Sequence, residues 1–427
     1  MNLKLSLINA EVYKRLLNVL IRCLAMGSRL LLIFAVAKLL SPDELGSFGL
    51  MVAAVAFCVL LLGGDYYTYS QRELLSRPHT EWSIVIQNQI RAHLILYVAL
   101  LPLHILIFVF GFLDWVYVPL FFTLLLFEHI AQEVNRLLIA MHRQLLASVV
   151  LFVRSGSWVF VTVPMMYFLE NTRNLGTLYT AWIVGCAVAI LLGISGIKRA
   201  LPLWRKEPFD RDLLVKGFKV CVLFLVATLC FRGLFTFDRY MLDIFSSKEI
   251  VGVYVFYMTL IMGLYNLLEP AIFSFLYPRM LQSYQMKQLD KYISTFRELF
   301  ISTMAGCILL VPVIWVLLPI LVGMIDDPIY AEHSDGLVFF IFIGFAHAAG
   351  MVPHYALYAM RGDNWIVSAH VSSIVVFLIV LAFFELESGI YLVSVALLLS
   401  LLWAGLIKTI GMIIMRNQSE LLNADTR

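Results

Sequence analysis

Long runs of apolar residues follow one another along the whole chain and are separated by short polar segments. Each run has about 18 to 25 residues, the length that a helix needs to cross a bilayer core about 30 Å thick. We count twelve runs, a pattern that predicts an all-α polytopic membrane protein. The predicted spans are 17–38, 47–69, 84–110, 117–140, 145–169, 177–197, 219–245, 250–276, 299–321, 337–359, 366–384 and 390–414.

The composition agrees with this pattern. Of the 427 residues, 62% are hydrophobic and 14% are charged, with a mean hydropathy of +0.90. A soluble domain has about 45–50% apolar residues, so the composition excludes a soluble protein. The amino-terminal residues lack a short apolar block followed by a cleavage site, and we expect the first span to remain as a helix. All six cysteines fall within predicted spans without metal-ligand spacing, which predicts packing roles.

Lysine and arginine are distributed unevenly over the loops. If the amino terminus is cytoplasmic, most loop cations lie on the cytoplasmic side and only Lys38, Arg173 and Lys248 lie outside. The positive-inside rule then predicts that both termini are cytoplasmic. The net charge of +3 hides this asymmetry. Orientation and attraction to anionic lipid explain the loop cations, so nucleic acid is not expected as a partner.

Two cytoplasmic segments are longer than a simple turn. We interpret the basic segment 198–218 as a linker between an amino-terminal six-helix lobe, 1–197, and a carboxy-terminal six-helix lobe, 219–427. The second segment, 278–298, has apolar residues at i, i+3, i+4 and i+7 from Leu289, which predicts an amphipathic helix at the inner membrane surface.

The two halves resemble each other in sequence. "LLSPDELGSFGL" (39–50) parallels "IFSSKEIVGVYVFY" (244–257), with Glu44 matching Glu249 and Gly46 matching Gly252 after one inserted residue. "LIAMHRQLLASVV" also parallels "LYAMRGDNWIVSAHV" at the same place in each half. Internal repeats are common in transporters. The repeat predicts two pseudo-symmetric six-helix lobes around a central cavity, related by an axis normal to the membrane.

Eight of the 31 lysines and arginines fall inside predicted spans. They are Arg22, Arg29, Arg91, Arg136, Arg154, Arg232, Arg239 and Lys408. A cation at the centre of a span costs about 2.5–3.5 kcal/mol on insertion scales, so the deepest must face a bundle interior or a wet cavity. Arg29 and Arg232 are the deepest by these boundaries. Arg136 and Lys408 lie near span ends, from which they are expected to reach the interface.

Arginine in such positions points to an anionic ligand. Arg22 and Arg29 are seven residues apart on one helix face, as are Arg232 and Arg239. A guanidinium stays protonated and binds phosphate oxygens in a bidentate way, so the implied ligand is an anion such as a phosphate. Structural pairing with nearby carboxylates is the alternative for each arginine.

Four carboxylates in or beside the spans are candidates for ion coupling. They are Glu128, Asp238, Asp65 and Glu269. A desolvated carboxylate that binds H⁺ or Na⁺ can couple a downhill ion to uphill transport. We expect no cofactor, and we do not expect His347, His354 and His370 to ligate metal, because no acid or cysteine completes the set.

The loop "LLSPDELGSFGL", the segment "FDRYMLDIFSSKEIVGVYVFY", the turn "AMRGDN" and the basic central linker together resemble a polysaccharide exporter of the multidrug/oligosaccharidyl-lipid/polysaccharide (MOP) superfamily. More closely, the chain resembles the Wzx-type O-antigen flippases of Gram-negative bacteria. The resemblance implies a two-lobed transporter of the bacterial inner membrane that moves undecaprenyl-pyrophosphate-linked oligosaccharide to the periplasmic leaflet by ion-coupled alternating access.

The same resemblance implies a cationic lumen. On this sequence the lumen corresponds first to Arg29, Arg232, Arg239 and Arg154, and then to Arg91 and Arg22. It also implies a monomer in contact with membrane lipid, with a polysaccharide polymerase and a chain-length regulator as partners in lipopolysaccharide synthesis. No enzymatic activity is expected.

Three rivals stay open. A MATE-like exporter of drugs or organic cations would have lobes lined by acids rather than arginines. A lipid II flippase would usually have two further spans. A membrane O-antigen polymerase or ligase would carry a long periplasmic loop, whereas the longest predicted outer loop here is 323–336.

Overall fold

The computed structural model describes residues 2–201, 206–384 and 388–424. All regular structure in these ranges is helical, and no strand occurs in them. Eleven helical stretches of the described residues are long and apolar enough to cross a bilayer, and the bent pair Arg211–Val222 and Phe224–Phe245 makes a twelfth. The predicted all-α architecture with twelve spans is therefore confirmed.

The α-helices are numbered in chain order. They are α1 (Asn2–Leu39), α2 (Pro42–Gly63), α3 (Tyr66–Ser76), α4 (Trp82–Leu100), α5 (Leu106–Val109), α6 (Val118–Ala140), α7 (Gln144–Phe152), α8 (Val159–Phe168), α9 (Leu175–Ala200), α10 (Arg211–Phe245), α11 (Lys248–Tyr265), α12 (Ser274–Gln285), α13 (Leu289–Gly323), α14 (Ile329–Glu332), α15 (Leu337–Ala359), α16 (Asp363–Phe383) and α17 (Gly389–Ala424). Two π-helical turns, Val153–Ser157 and Glu269–Phe273, join α7 to α8 and lead into α12.

The chain divides into two compact units. The first comprises Met1–Leu40 and Ser47–Leu225, and the second comprises Ser41–Gly46 and Val226–Arg427. The change of unit at residues 225 and 226 lies inside α10, downstream of the predicted linker 198–218. Residues 202–205 of that linker lie outside the described residues, and α10 already begins at Arg211.

The predicted amphipathic segment 278–298 is not a separate surface helix. Its first part ends α12, and a turn at Lys287, with φ of +55°, precedes α13. The amphipathic stretch from Leu289 is the beginning of α13, which continues to Gly323. Periodicity identified the helical face correctly, but it could not show that the same helix runs on into the membrane.

One repeated sequence corresponds to a repeated turn. After α6 and after α15, the residue following Met141 or Met360 has a left-handed conformation, with φ of +58° at His142 and +59° at Arg361. In each turn the residue after the left-handed one, Arg143 or Gly362, donates its backbone N–H to the carbonyl oxygen five residues earlier. This hydrogen bond is typical of the Schellman motif that ends a helix. The repeated "AM" segments therefore end equivalent helices within their own units.

The other repeat brings two glycines together within the second unit. Gly46 and Gly252 are each the fifth residue of a helix that follows a serine cap, Ser41 for α2 and Ser247 for α11. A Cβ on Gly46 would overlap the carbonyl oxygen of Lys248, and a Cβ on Gly252 would overlap that of Pro42. This correspondence needs no inserted residue, so Glu44 and Glu249 are one position out of register.

Candidate functional site

Two predicted arginines of α1 lie in the first unit. Arg22 and Arg29 are both exposed. The Arg22 Nε donates to the Ser148 Oγ at 3.2 Å, and that hydroxyl in turn donates to the side chain of Asn18. Exposure of Arg29 within the Leu16–Leu39 span is consistent with a wet environment, because a guanidinium facing hydrocarbon would be costly.

Arg154 and Glu128 come together in the first unit. Arg154 lies in the π-helical turn Val153–Ser157 and is only 7% exposed. Its Nε is 3.4 Å from Glu128 Oε1, an ion-pair distance without the alignment of a hydrogen bond. Glu128 also accepts hydrogen bonds from Trp182 and Cys186. The guanidinium and the carboxylate thus have protein partners, and the arrangement fits the structural alternative for Arg154.

We expect Glu128→Gln to lower the free energy of unfolding by about 3 kcal/mol, because it leaves the buried Arg154 guanidinium without its counter-charge. Arg154→Gln in the same protein should recover much of that loss, since no isolated charge then remains. Thermal unfolding of the purified single and double variants measures both effects. Additive losses in the double variant would mean that the two side chains do not interact.

Arg91 binds the chain that follows α9. Its guanidinium donates to the carbonyl oxygens of Glu207 and Pro208 at 2.7 and 2.8 Å, and it lies 5.7 Å from the ring centre of Phe209. Arg91 therefore fastens the predicted linker to α4. The sequence could not reveal this role, because the partners are backbone atoms more than a hundred residues away.

The segment of α10 with three charges has two different environments. Arg232 is exposed and Arg239 is partly buried, whereas Asp238 is 1% exposed. The Asp238 carboxylate accepts hydrogen bonds from the Tyr254 hydroxyl at 2.8 Å and from the backbone N–H of Arg239 at 2.7 Å. Arg232 and Asp238 thus lie on different faces of α10, as expected for helix positions six residues apart.

The two remaining predicted acids differ in burial. Glu269 is exposed in the second π-helical turn and accepts hydrogen bonds from the Tyr355 hydroxyl at 2.7 and 2.8 Å. Asp65 is buried, with φ of +51°, in the turn before α3. This turn ends the second span at Gly63 instead of residue 69. Beyond it, burial and the nearby carboxylate of Glu73 raise the pKa of the Tyr69 hydroxyl to about 12.

Lys408 was expected to reach the membrane interface, and that expectation is wrong. It is only 2% exposed, and its Nζ lies 5.3 Å from the ring centre of Phe231. The same ring stacks on His370 at 4.5 Å and on His347 at 6.0 Å. Within the described ranges Lys408 makes no ion pair. The second unit therefore buries a cation among aromatic and imidazole rings beside the arginine-bearing α10.

The sequence did not reveal a buried polar cluster in the first unit. Arg136 belongs to this cluster, although it was expected to reach the membrane interface. The Arg136 Nη1 is 2.6 Å from Glu133 Oε1, and its guanidinium lies 3.5 Å from the ring centre of Tyr67. The Gln89 amide donates to Glu133 Oε2 at 2.6 Å. His93 and His129 adjoin the same carboxylate. The i, i+4 spacing of His129 and Glu133 on α6 was visible in the sequence, but nothing indicated that α4 would add His93.

No family model and no curated protein matches the sequence. Solved structures match at low identity over almost the whole chain. An inward-facing multidrug resistance MATE family transporter of the MOP superfamily has a TM-score of 0.75 at 15% identity, covering 94% of this chain and 96% of the other. The chain has the MOP transporter fold.

Two further solved structures give the same result. An outward-facing MATE family transporter has a TM-score of 0.66 at 14% identity, covering 96% of each chain. The MATE multidrug transporter DinF-BH, solved as a complex, has a TM-score of 0.57 at 17% identity, covering 91% of this chain and 94% of the other. The predicted superfamily fold is thereby confirmed, and at this identity the likeness extends to the fold alone.

Proposed function

We propose that this MOP-fold protein is a flippase that translocates undecaprenyl-pyrophosphate-linked oligosaccharide from the cytoplasmic to the periplasmic leaflet of a bacterial inner membrane. The observation that carries the proposal is the exposure of Arg29 and Arg232 within membrane spans. A guanidinium that is exposed at that depth faces water or a ligand rather than lipid, because a charge in hydrocarbon is costly. A pyrophosphate supplies the complementary charge and the oxygen geometry for bidentate binding.

The pairing of acids in the first unit supports an anionic substrate. Glu128 lies against Arg154, and Glu133 lies against Arg136. The charge of Glu128 is balanced by Arg154, so this carboxylate does not offer the unpaired negative charge that an organic cation would need. Because Arg29 and Arg232 are exposed and are the deepest of the predicted site arginines, they are our first candidates for the phosphate ligands.

Asp238 is our first candidate for the coupling site. It is the most deeply buried of the four predicted acids. Its carboxylate accepts hydrogen bonds from a tyrosine hydroxyl and from a backbone N–H. A carboxylate in this setting can exchange its hydrogen-bonded partner for H⁺ or Na⁺ during the transport cycle. Both termini are proposed to be cytoplasmic, in accord with the distribution of loop cations.

The test is a strain that lacks this gene, complemented with the wild-type gene or an empty vector. We expect undecaprenyl-linked repeat units to accumulate in the cytoplasmic leaflet without the gene, and periplasmic modification of the units to return with it. A change in polymer length, with normal appearance of units in the periplasm, would instead indicate a polymerase. Normal surface polysaccharide in the null strain would overturn the proposal.

A MATE-like multidrug exporter is the second candidate, because the matching solved structures are described as multidrug transporters. The same strains distinguish the two functions. Drug sensitivity of the null strain, with normal surface polysaccharide, would favour the exporter.

A further inference from the structure

The buried polar cluster of the first unit contains the elements of a cation site that is separate from the proposed substrate arginines. His93 comes from α4, and His129 and Glu133 come from one face of α6. One ligand atom from each residue lies within 4.8 Å of the others. His93 is 7% exposed and His129 is fully buried. Two imidazoles and one carboxylate form a set that commonly binds zinc with a position left open.

Both imidazoles have a nitrogen without a hydrogen-bond partner. The Nε2 atoms of His93 and His129 are buried and unpartnered within the described structure. The His129 Nδ1 is 2.6 Å from the Tyr97 hydroxyl, which leaves Nε2 as the available ligand atom. The His93 Nε2 lies 3.9 Å from Glu133 Oε2. An unsatisfied buried nitrogen is unfavourable, and one cation could satisfy both.

The partners of the cluster resemble the outer shell of a metal site. Metal-binding histidines and carboxylates are usually held by further hydrogen bonds. Here the Tyr97 hydroxyl holds His129, and the Gln89 amide holds the Glu133 carboxylate. Arg136 contacts Oε1, so Oε2 is the oxygen that faces His93. The Arg136 guanidinium repels a nearby dication, so replacing Arg136 is expected to change the affinity of the site for the metal.

The cluster lines a cavity, and its three ligand atoms need only a small closure to bind a metal ion. A cavity of about 690 Å³ is lined by His93, His129 and Glu133 together with aliphatic side chains of α4, α6 and α9. At zinc–ligand distances of about 2.0–2.1 Å, tetrahedral ligand atoms are about 3.4 Å apart, so the three ligand atoms, now within 4.8 Å of one another, must approach by up to about 1.4 Å. Rotation of side chains can supply a movement of that size.

We propose that His93, His129 and Glu133 bind a divalent transition-metal ion, with Zn²⁺ best suited to their nitrogen and oxygen donors. The site is distinct from the arginines that we assign to the substrate. Its existence does not depend on which substrate the protein transports.

The test uses the full-length protein purified in detergent and stripped with a chelator. After incubation with Zn²⁺ and removal of excess, we expect about one equivalent of zinc by elemental analysis, and Co²⁺ should give the visible absorption of a tetrahedral site. His93→Gln and His129→Gln should each lose the bound metal. His104→Gln is the matched control, since His104 is equally buried and also has an unpartnered Nε2.

Arg136→Gln is expected to raise the zinc affinity, an effect that loss of folding would not produce. Removing the guanidinium should tighten zinc binding by about tenfold if the ion lies at Glu133, because it removes a positive charge that repels the ion. Failure of the wild-type protein to retain zinc would overturn the proposal. Equal zinc retention in the histidine variants and in His104→Gln would also overturn it, because the metal would then be adventitious. A histidine variant that fails to fold is replaced by Glu133→Gln in the same comparison.

Discussion

Replacing Gly46 with alanine is expected to abolish the accumulation of folded protein. The added Cβ would overlap the backbone oxygen of Lys248, and it would lie 3.1 Å from the backbone nitrogen of Gly252. Backbone atoms cannot rotate away as a flexible side chain can, so α2 and α11 would have to separate at their first turns. Overpacking in a well-packed core already costs about 1–3 kcal/mol, and a clash with backbone atoms, which cannot rotate away, should exceed that range.

Detergent-solubilised protein carrying a fluorescent carboxy-terminal fusion can be followed by size-exclusion chromatography. Gly252→Ala should fail in the same way, because its Cβ would overlap the carbonyl oxygen of Pro42. Gly27→Ala is the control, since nothing lies within 4 Å of its new Cβ and alanine is favoured over glycine in a helix by about 0.5–1 kcal/mol. A Gly46→Ala protein that accumulates and melts like Gly27→Ala would contradict the close helix crossing.

Substitution of Arg232 or Arg29 with alanine should lower export of the lipid-linked oligosaccharide by about 10- to 100-fold, the effect of losing a charge-assisted hydrogen bond worth about 1.5–3 kcal/mol. Export is measured as periplasmic modification of the units in the complemented null strain. Protein abundance should stay normal, because both side chains are exposed. Lysine at either position should keep part of the activity, since it retains the charge but not the bidentate geometry.

Arg143→Ala is the matched control for this experiment. Arg143 is also an exposed arginine, but it lies in the turn between α6 and α7 rather than within a span. Its replacement should leave export unchanged. If the two span variants export the units at the wild-type rate, then the assignment of Arg29 and Arg232 to the substrate is wrong.

The positions of the spans and the repeated turns could be predicted because each depends on local sequence. A run of apolar residues fixes a membrane helix by its length, and this rule located all twelve spans. The similarity around Met141 and Met360 likewise corresponds to a turn closed by nearby backbone hydrogen bonds. Local information failed at Gly63, where a left-handed pair, Gly64 and Asp65, ends α2 before the apolar run is complete.

Contacts between distant helices could not be predicted in this way. The predicted span boundaries place Lys408 near enough to a span end to reach water, yet packing of α17 places its ammonium over Phe231. His93 shows no helical spacing with His129, because they belong to different helices. Both clusters arise from the way the helices of one unit pack together, which neither hydropathy nor charge spacing specifies.

The position of Glu128 and its partner has a consequence for how the chain enters the membrane during synthesis. Among the eleven unbroken spans of the described residues, the one containing α6 has the lowest mean hydropathy, and it carries Glu128, Glu133 and Arg136. Arg136 supplies the counter-charge of Glu133 within the same helix. The counter-charge of Glu128 is Arg154, which is synthesised one span later. The two spans are therefore expected to leave the translocon together as a hairpin, with the nascent acid held at the protein-lined exit until its arginine arrives.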